Sequence, residues 1–171
     1  AKTDPRVVAY ADCDEANSAI GLALTLSGDV PDDIAEVLRT VQNDLFDAGA
    51  DLSTPVVDEP KHPPLRIEPG YIDALEAWCD RFGEELTPLD SFILPGGTAL
   101  SALLHQARVV TRRAERAAWA AVQARPDDTS ALPAKYLNRL SDLLFILARV
   151  ANVRAGLGDV KWVPGAQRLR E

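Results

Sequence analysis

Five segments of this chain place apolar residues at the three- and four-residue spacing of a helix, and none alternates convincingly with the two-residue period of a strand. The second segment shows the pattern most clearly, with a stripe made by Ile34, Val37, Leu38, Val41, Leu45 and Ala48. No Asn-Gly or Asp-Gly pair joins two apolar runs, so the usual hairpin signal is missing. The sequence therefore predicts an all-α fold, an up-and-down bundle of five antiparallel helices joined mostly by short loops.

Proline and glycine residues predict where these helices begin and end. The predicted helices run from Asp4-Pro5 to Ser27-Gly28, from Pro31-Asp32 to Gly49, through Ile72 to Gly83, from near Thr98 to about Arg125, and from after Pro133 to the glycines at 156 and 158. The proline-rich stretch from about Leu52 to Pro69 predicts an irregular loop, and residues 159–171 are predicted to form an irregular tail. We expect one helical-bundle domain over residues 1–171.

Composition excludes several classes of protein. The chain is 47% hydrophobic and 26% charged over 171 residues, which is typical of a globular protein and not of a disordered one. A net charge of −8 argues against a general nucleic-acid binder, and no apolar run approaches the roughly 20 residues of a membrane helix. Cys13 and Cys79 favour reduced, buried thiols in the cytoplasm. His62 and His105 fit no metal pattern, so we expect no protein metal cage, with His105 packed in the core.

Two arginines make the fourth helix unusual. Arg108 and Arg112 lie four residues apart, so they stack on one helical face, and Glu115 continues that face. Like charges at this spacing repel by about 0.2–0.5 kcal/mol, so a negative group should offset them. The candidates are Glu115, a carboxylate from elsewhere, or a bound polyanion such as a nucleotide triphosphate, which arginine forks grip well. A solvated helix face with ion pairs is the alternative.

The fifth and first helices also carry polar residues at unusual places. Asn138 and Asp142 lie four apart within a strongly apolar helix, which favours a polar seam facing a partner over a simple surface turn. Asp14 and Glu15 lie about three turns into the first helix, where the helix dipole no longer explains an acidic residue. A carboxylate at that position can pair with an arginine such as Arg108.

Five windows follow one another along the chain. They are Asp4-Pro5-Arg6 with Ala9-Tyr10 and Asp14-Glu15-x-Asn17-Ser18, Gln42-Asn43-Asp44-Leu45-Phe46-Asp47-x-Gly49-Ala50-Asp51-Leu52, Phe92-Ile93-Leu94-Pro95-Gly96-Gly97, Ala107-Arg108 with Arg112-Arg113-Ala114-Glu115-Arg116, and Tyr136-Leu137-Asn138-Arg139-Leu140-Ser141-Asp142. Together they closely resemble the PduO-type corrinoid adenosyltransferases, or ATP:cob(I)alamin adenosyltransferases, over about residues 4–150. The resemblance implies a ferritin-like five-helix bundle that assembles as a homotrimer with active sites between subunits. The implied reaction moves the 5′-deoxyadenosyl group of ATP onto the cobalt of reduced cobalamin and releases triphosphate.

The resemblance also implies a nucleotide site. By position, Arg112, Arg113, Glu115 and Asn138 are similar to nucleotide-site residues of the family. Family members carry a Thr-x-x-Gly-Asp-x-Gly-x-Thr segment before the first helix, which wraps the ATP phosphates. The present sequence starts after that segment, with Lys2 near the junction, so we expect an incomplete phosphate site. Because cobalt(I) is a powerful nucleophile, no general base is needed, and Arg112 with Mg²⁺ would stabilise the departing triphosphate.

The corrin side of the site is implied in the same way. Phe92 is similar to the residue that keeps the lower face of cobalt free of its dimethylbenzimidazole ligand. Excluding that ligand destabilises cobalt(II) relative to cobalt(I) and so eases the reduction. Arg108 is similar to the partner of Asp14 across the subunit boundary, and Arg139 and Asp142 are similar to supporting polar residues.

Two other functions fit the same residues. The chain could be a non-catalytic helical interaction module whose arginine stripe docks an acidic partner. It could also be a cobalamin carrier that hands its product directly to an adenosylcobalamin-dependent mutase, which is compatible with the enzyme.

Overall fold

The computed structural model describes residues 1–168, and its helices follow the predicted order. The five long helices are α1 (Pro5–Leu26), α2 (Asp32–Ser53), α3 (Pro69–Gly83), α4 (Ala99–Ala124) and α5 (Leu132–Arg154), and a short α6 covers Gly165–Arg168. Helix α1 packs against α2 and α4, α4 packs against α5, and α5 packs against α3, while α2 also contacts α5. The predicted all-α helical bundle is therefore confirmed.

Local signals set several helix ends as predicted. The Asp4 side chain caps α1 by accepting a hydrogen bond from the Arg6 amide at 3.0 Å, and the Thr98 side chain caps α4. Gly28 and Gly156 follow the ends of α1 and α5 with φ of 76° and 74°. Glycine adopts this left-handed conformation at little cost, which is why it ends helices.

Gly49 does not end the second helix, contrary to the prediction. Helix α2 continues to Ser53, and Gly49 is buried within it against the ring of Tyr10 on α1. A Cβ atom at position 49 would lie 2.9 Å from Cδ2 of Tyr10, closer than side-chain carbons normally approach. The glycine is therefore a point of close contact between two helices.

The predicted irregular tail is also partly wrong. Ile93 and Lys161 form an isolated antiparallel β-bridge, and residues Gly165–Arg168 form α6. Residues 169–171 lie outside the described part of the chain. The sequence pattern could not reveal the bridge, because each of the two segments is short and they lie far apart along the chain.

Alanine residues bring α1 and α4 together at the centre of the bundle. Each helix carries fully buried alanines at seven-residue intervals, which are Ala9, Ala16 and Ala23 on α1 and Ala107, Ala114 and Ala121 on α4. Small side chains at this repeat let two helices pack closely along a shared seam. This contact fixes which face of α4 packs against α1, and the arginines of α4 extend from its other faces.

Three potentially reactive side chains, those of His105, Cys13 and Cys79, are buried, as predicted. His105 is 4% exposed, and burial lowers the pKa of its ring, so the imidazole is neutral at pH 7. Burial raises the pKa of the Cys13 thiol to about 12 and that of Cys79 to about 11, and both cysteines are free. Within residues 1–168, no helix is both long enough and apolar enough to cross a membrane.

Candidate active site

Helices α4 and α5 meet along a seam that holds two neighbouring cavities. The first, which we name the arginine cavity, has a volume of about 200 Å³ and is lined by Arg108, Arg112, Ser141, Asp142, Phe145 and Ile146. The second, which we name the amide cavity, has a volume of about 400 Å³ and is lined by Ile72, Glu76, Glu115, Trp119, Lys135, Asn138 and Arg139. The seam therefore brings together most of the site residues predicted on these two helices.

The arginine cavity carries positive charge that the described chain does not neutralise. The Arg108 guanidinium lies 5.9 Å from the ring centroid of Phe145, in cation–π geometry. Burial lowers the pKa of Arg108, and the neighbouring Arg112 charge lowers it further. Within residues 1–168, neither arginine forms a salt bridge, and the buried Nε of Arg108 has no hydrogen-bond partner. Two close cations with free donors favour an anionic ligand with several oxygen atoms.

The amide cavity presents a hydrogen-bonded pair. Asn138 Nδ2 donates to Glu115 Oε1 at 3.0 Å. Within residues 1–168, Glu115 forms no salt bridge with Arg108 or Arg112, so it does not pair with them as one interpretation of the sequence expected. The side-chain oxygen Oδ1 of Asn138 and the second carboxylate oxygen of Glu115, Oε2, accept no hydrogen bond within residues 1–168. These two acceptors suit ligand hydroxyl groups, such as those of a ribose.

Arg139 forms the wall between the two cavities. It donates to Asp142 Oδ2 at 3.2 Å and to Glu76 Oε1 at 2.9 Å. Asp142 lines the arginine cavity, while Arg139 and Glu76 line the amide cavity. The two residues predicted to support the site therefore form an ion pair with each other, and Glu76 of α3 is an additional partner that the sequence did not indicate. Their supporting role stays a prediction.

Within the described chain, helix α1 supplies one carboxylate to an arginine of α4. Glu15 forms a salt bridge with Arg113, and both side chains are about half exposed. Asp14 is exposed and forms no salt bridge with Arg108 within this chain. The pairing of Asp14 with Arg108 across a subunit boundary stays a prediction.

Lys2 lies away from the seam. It is exposed and precedes Asp4, which forms a 2.8 Å salt bridge with Arg125 just after the end of α4. At about 1.5 Å of rise per residue, Arg125 lies roughly 20 Å along the α4 direction from Arg112. A single chain therefore does not bring Lys2 to the arginine cavity.

Phe92 lines a third cavity, near the start of α4. Its side chain is 79% exposed and shares a cavity of about 490 Å³ with Leu89, Asp90, Ser91 and Trp162. The Phe92 and Trp162 rings meet edge to face, with centroids 6.2 Å apart. The sequence singled out Phe92, whereas Trp162 was placed in the irregular tail.

Metal-binding side chains do not gather in the described structure. Among residues 1–168, no group of three or more His, Cys, Asp or Glu side chains could hold a metal ion. The polar side chains of the two seam cavities are instead cationic groups, the Asn138 amide, the Ser141 hydroxyl, the Trp119 indole and three acids bonded to their neighbours.

Comparison with known proteins relates this geometry to a family. A model of the cobalamin adenosyltransferase family matches residues 1–151. The corrinoid adenosyltransferase of Mycobacterium tuberculosis strain H37Rv is 68% identical over 168 residues, covering 98% of this chain and 85% of that protein. The corrinoid adenosyltransferase of Bacillus subtilis strain 168 is 43% identical over 172 residues, covering 99% and 86%.

A solved structure agrees with these relatives. It is a variant PduO-type ATP:corrinoid adenosyltransferase from Lactobacillus reuteri, complexed with cobalamin and ATP. It superposes with a TM-score of 0.85 at 36% identity, covering 95% of this chain and 88% of that chain. Such similarity over nearly the whole fold defines the class of protein, a transferase built on an α-helical bundle. The chain belongs to the cobalamin adenosyltransferase family, with PduO-type enzymes as its structural neighbours, which confirms the family predicted from the five windows.

Proposed function

We propose that this chain transfers the 5′-deoxyadenosyl group of ATP to the cobalt of reduced cobalamin. A cobalt–carbon bond forms as the C5′–oxygen bond of ATP breaks, and the electron pair of the broken bond leaves with triphosphate. One observation carries the proposal: Arg108 and Arg112 line one cavity without a salt-bridge partner within residues 1–168. In a chain of this family, the Arg112 fork of that cavity is the natural place for a polyphosphate.

The seam accounts for the two halves of ATP. The fork of Arg112 is proposed to bind the triphosphate, while Glu115 and Asn138 bind the ribose hydroxyls through their free oxygen atoms. Arg113, which is held by α1, and Lys2 are proposed to reach a nucleotide bound between two subunits. Mg²⁺ would be carried by the phosphate oxygens, because this ion keeps most of its water and binds substrate phosphates readily. It would help to neutralise the departing triphosphate.

The corrin ring is proposed to lie beside the other residues predicted for this site. Phe92 is exposed enough to cover the lower face of cobalt and to exclude an axial ligand there. Arg139 and Asp142 would hold the wall of the cavity in place. The approach of cobalt to C5′ then depends on orientation, since the nucleophile needs no base.

The subunit arrangement is the finer part of the proposal. Val7, Tyr10 and Asp14 lie on one face of α1, and Val7 and Tyr10 are more than 40% exposed. An apolar stripe beside an acid that forms no salt bridge within residues 1–168 suits a contact with a second copy of the chain, and we propose a homotrimer with active sites between subunits. Free buried cysteines suit the cytoplasm, and transfer of the product to an adenosylcobalamin-dependent mutase is its proposed fate.

The decisive experiment compares two arginines of α4. Purified protein is mixed with ATP, Mg²⁺ and chemically reduced cobalamin, and the cobalt–carbon bond is followed by its absorption spectrum. Arg112→Ala should lower the rate by about 10²–10³-fold, the usual effect of losing one preorganised donor to developing charge. Arg116→Ala is the matched control, because Arg116 is exposed and, within residues 1–168, donates only to the Arg112 carbonyl, at 3.1 Å. If Arg112→Ala keeps the same rate as Arg116→Ala, the docking of an acidic partner is favoured over catalysis at this cavity.

A further inference from the structure

The segment before α6 is fastened to the loop before α4 by buried and exposed ion pairs. Arg149 of α5 is 7% exposed, and its guanidinium donates to Asp159 Oδ2 at 2.8 and 3.0 Å and to the Thr87 carbonyl at 2.8 Å. Lys161 forms a salt bridge of 2.7 Å with Asp90. The two segments therefore meet in a fixed register along residues 87–94 and 159–162.

Backbone hydrogen bonds place Trp162 directly opposite Phe92. The Trp162 amide donates to the Phe92 carbonyl at 2.8 Å, and the Leu94 amide donates to the Val160 carbonyl at 2.8 Å. This antiparallel pairing brackets the bridge between Ile93 and Lys161. Side chains directly opposite each other in such a pair lie on the same face and interact. The rings of Phe92 and Trp162 accordingly meet at an interplanar angle of 75°.

Phe92 has little else to hold its ring. The side chain is 79% exposed, and its one aromatic neighbour in the described chain is Trp162, which is itself 47% exposed. Both rings line the same cavity of about 490 Å³. An exposed ring with one firm neighbour samples other rotamers as soon as that neighbour is removed.

We propose that Trp162 is a positioning residue that holds the Phe92 ring in the orientation needed to exclude a lower axial ligand from cobalt. The proposal rests on the function proposed above for Phe92. In the reaction affected, cob(II)alamin takes one electron from a reduced flavin and becomes cob(I)alamin. The lower ligand, water or the dimethylbenzimidazole nitrogen, leaves cobalt(II) before the electron is added. Trp162 touches neither substrate in this scheme and acts through Phe92.

The test measures the lower ligand directly. Full-length protein with ATP and cob(II)alamin is examined by electron paramagnetic resonance, which reports the fraction of cobalt(II) that lacks a lower ligand. Trp162→Ala should reduce the ratio of ligand-free to ligated cobalt(II) by about three- to tenfold, the factor expected from one lost edge-to-face contact. Trp162→Phe should restore most of it. Val163→Ala, an exposed neighbour outside the paired residues, should leave the ratio unchanged.

Two rate assays separate positioning from packing. When the assay starts from cob(II)alamin and reduced flavin, the rate of Trp162→Ala should fall by the same factor as the ratio of ligand-free to ligated cobalt(II). With preformed cob(I)alamin its rate should change by less than about twofold, because the arginine cavity is untouched. Equal losses in both assays would mean that Trp162 merely packs the segment, and a wild-type ratio would overturn the proposal.

Phe92→Ala tests the underlying function: if it leaves the ratio unchanged, the role of Phe92 fails first. If Phe92→Ala lowers the ratio and Trp162→Ala does not, only the inference about Trp162 fails.

Discussion

The turn that precedes α4 is where a single added methyl group should be most costly. Gly97 has a φ of 102°, and a Cβ atom there would overlap the side-chain amide of Asn152. Asn152 is buried on α5 and fastens the turn: its Oδ1 accepts from the Thr98 amide at 2.9 Å and its Nδ2 donates to the Gly96 carbonyl at 2.9 Å. Gly97→Ala should therefore strain the backbone and also displace Asn152.

The two costs can be added from the structure. The left-handed backbone costs about 1–2 kcal/mol for a residue with a Cβ. Loss of the hydrogen bonds that Asn152 makes with the Thr98 amide and the Gly96 carbonyl costs about 0.5–1.5 kcal/mol each, so the free energy of unfolding should fall by about 2–5 kcal/mol in total. Gly28→Ala is the matched control, because its φ is 76° and no atom lies within 4 Å of the added Cβ. It should show the backbone cost alone.

Urea unfolding followed by circular dichroism measures both changes. Because the Asn152 contacts should be lost in either single variant, Gly97→Ala and Asn152→Ala should be clearly non-additive, and the double variant should lose less than the sum. A Gly97→Ala variant that loses no more than Gly28→Ala would refute the reasoning. So would full additivity with Asn152→Ala, because the clash would then not be the cause.

Two further predictions concern charge. Hydrogen bonds from Arg154 lower the pKa values of Asp33 and Glu85 below their ordinary 3.8 and 4.5, so their stabilisation is present at neutral pH and is lost as the pH falls through the folded-state values. Arg154→Gln should flatten the acid limb of the unfolding free energy below about pH 5, and a limb of unchanged slope would contradict this. Asp14→Ala should shift sedimentation towards smaller species by leaving Arg108 without its proposed partner, and an unaltered trimer would argue against that pairing.

Local pattern was enough to predict the helices and which polar residues share a helical face. Residues four apart on a helix share a face whatever surrounds them, so Arg108 and Arg112 had to line one cavity together. The same rule placed Asn138 and Asp142 on one side of α5, where both now face the seam. The role of glycine was predicted less well. Gly28 follows the end of α1, whereas Gly49 lies inside α2, which continues to Ser53. Only the neighbouring helix decides between these two uses.

Contacts between helices were not predictable in the same way. The choice between Asp14 and Glu15 as the partner of an α4 arginine depends on how α1 rotates and slides against α4, and within the chain it is Glu15 that reaches Arg113. Glu76 gave no signal because exposed acids occur all along α3, and only the packing of α3 on α5 brings this one to Arg139. Trp162 was missed for a related reason, since its pairing depends on a segment distant in sequence.

The division of charge along α4 follows from the alanine contact with α1. Ala107 and Ala114 turn one face of the helix into the bundle, so that Arg113 emerges next to α1, while Arg112 emerges at the seam with α5. Helix α1 offers a carboxylate, that of Glu15, to Arg113 and none to Arg112. The folded chain thus neutralises Arg113. It leaves the repulsion between Arg108 and Arg112 unrelieved within residues 1–168, at a cost of about 0.2–0.5 kcal/mol. Natural chains break such local rules mainly at functional sites, so the charge missing from the pair is best supplied from outside the chain, by Asp14 of a second copy for Arg108, as proposed above, and by an anionic substrate for Arg112.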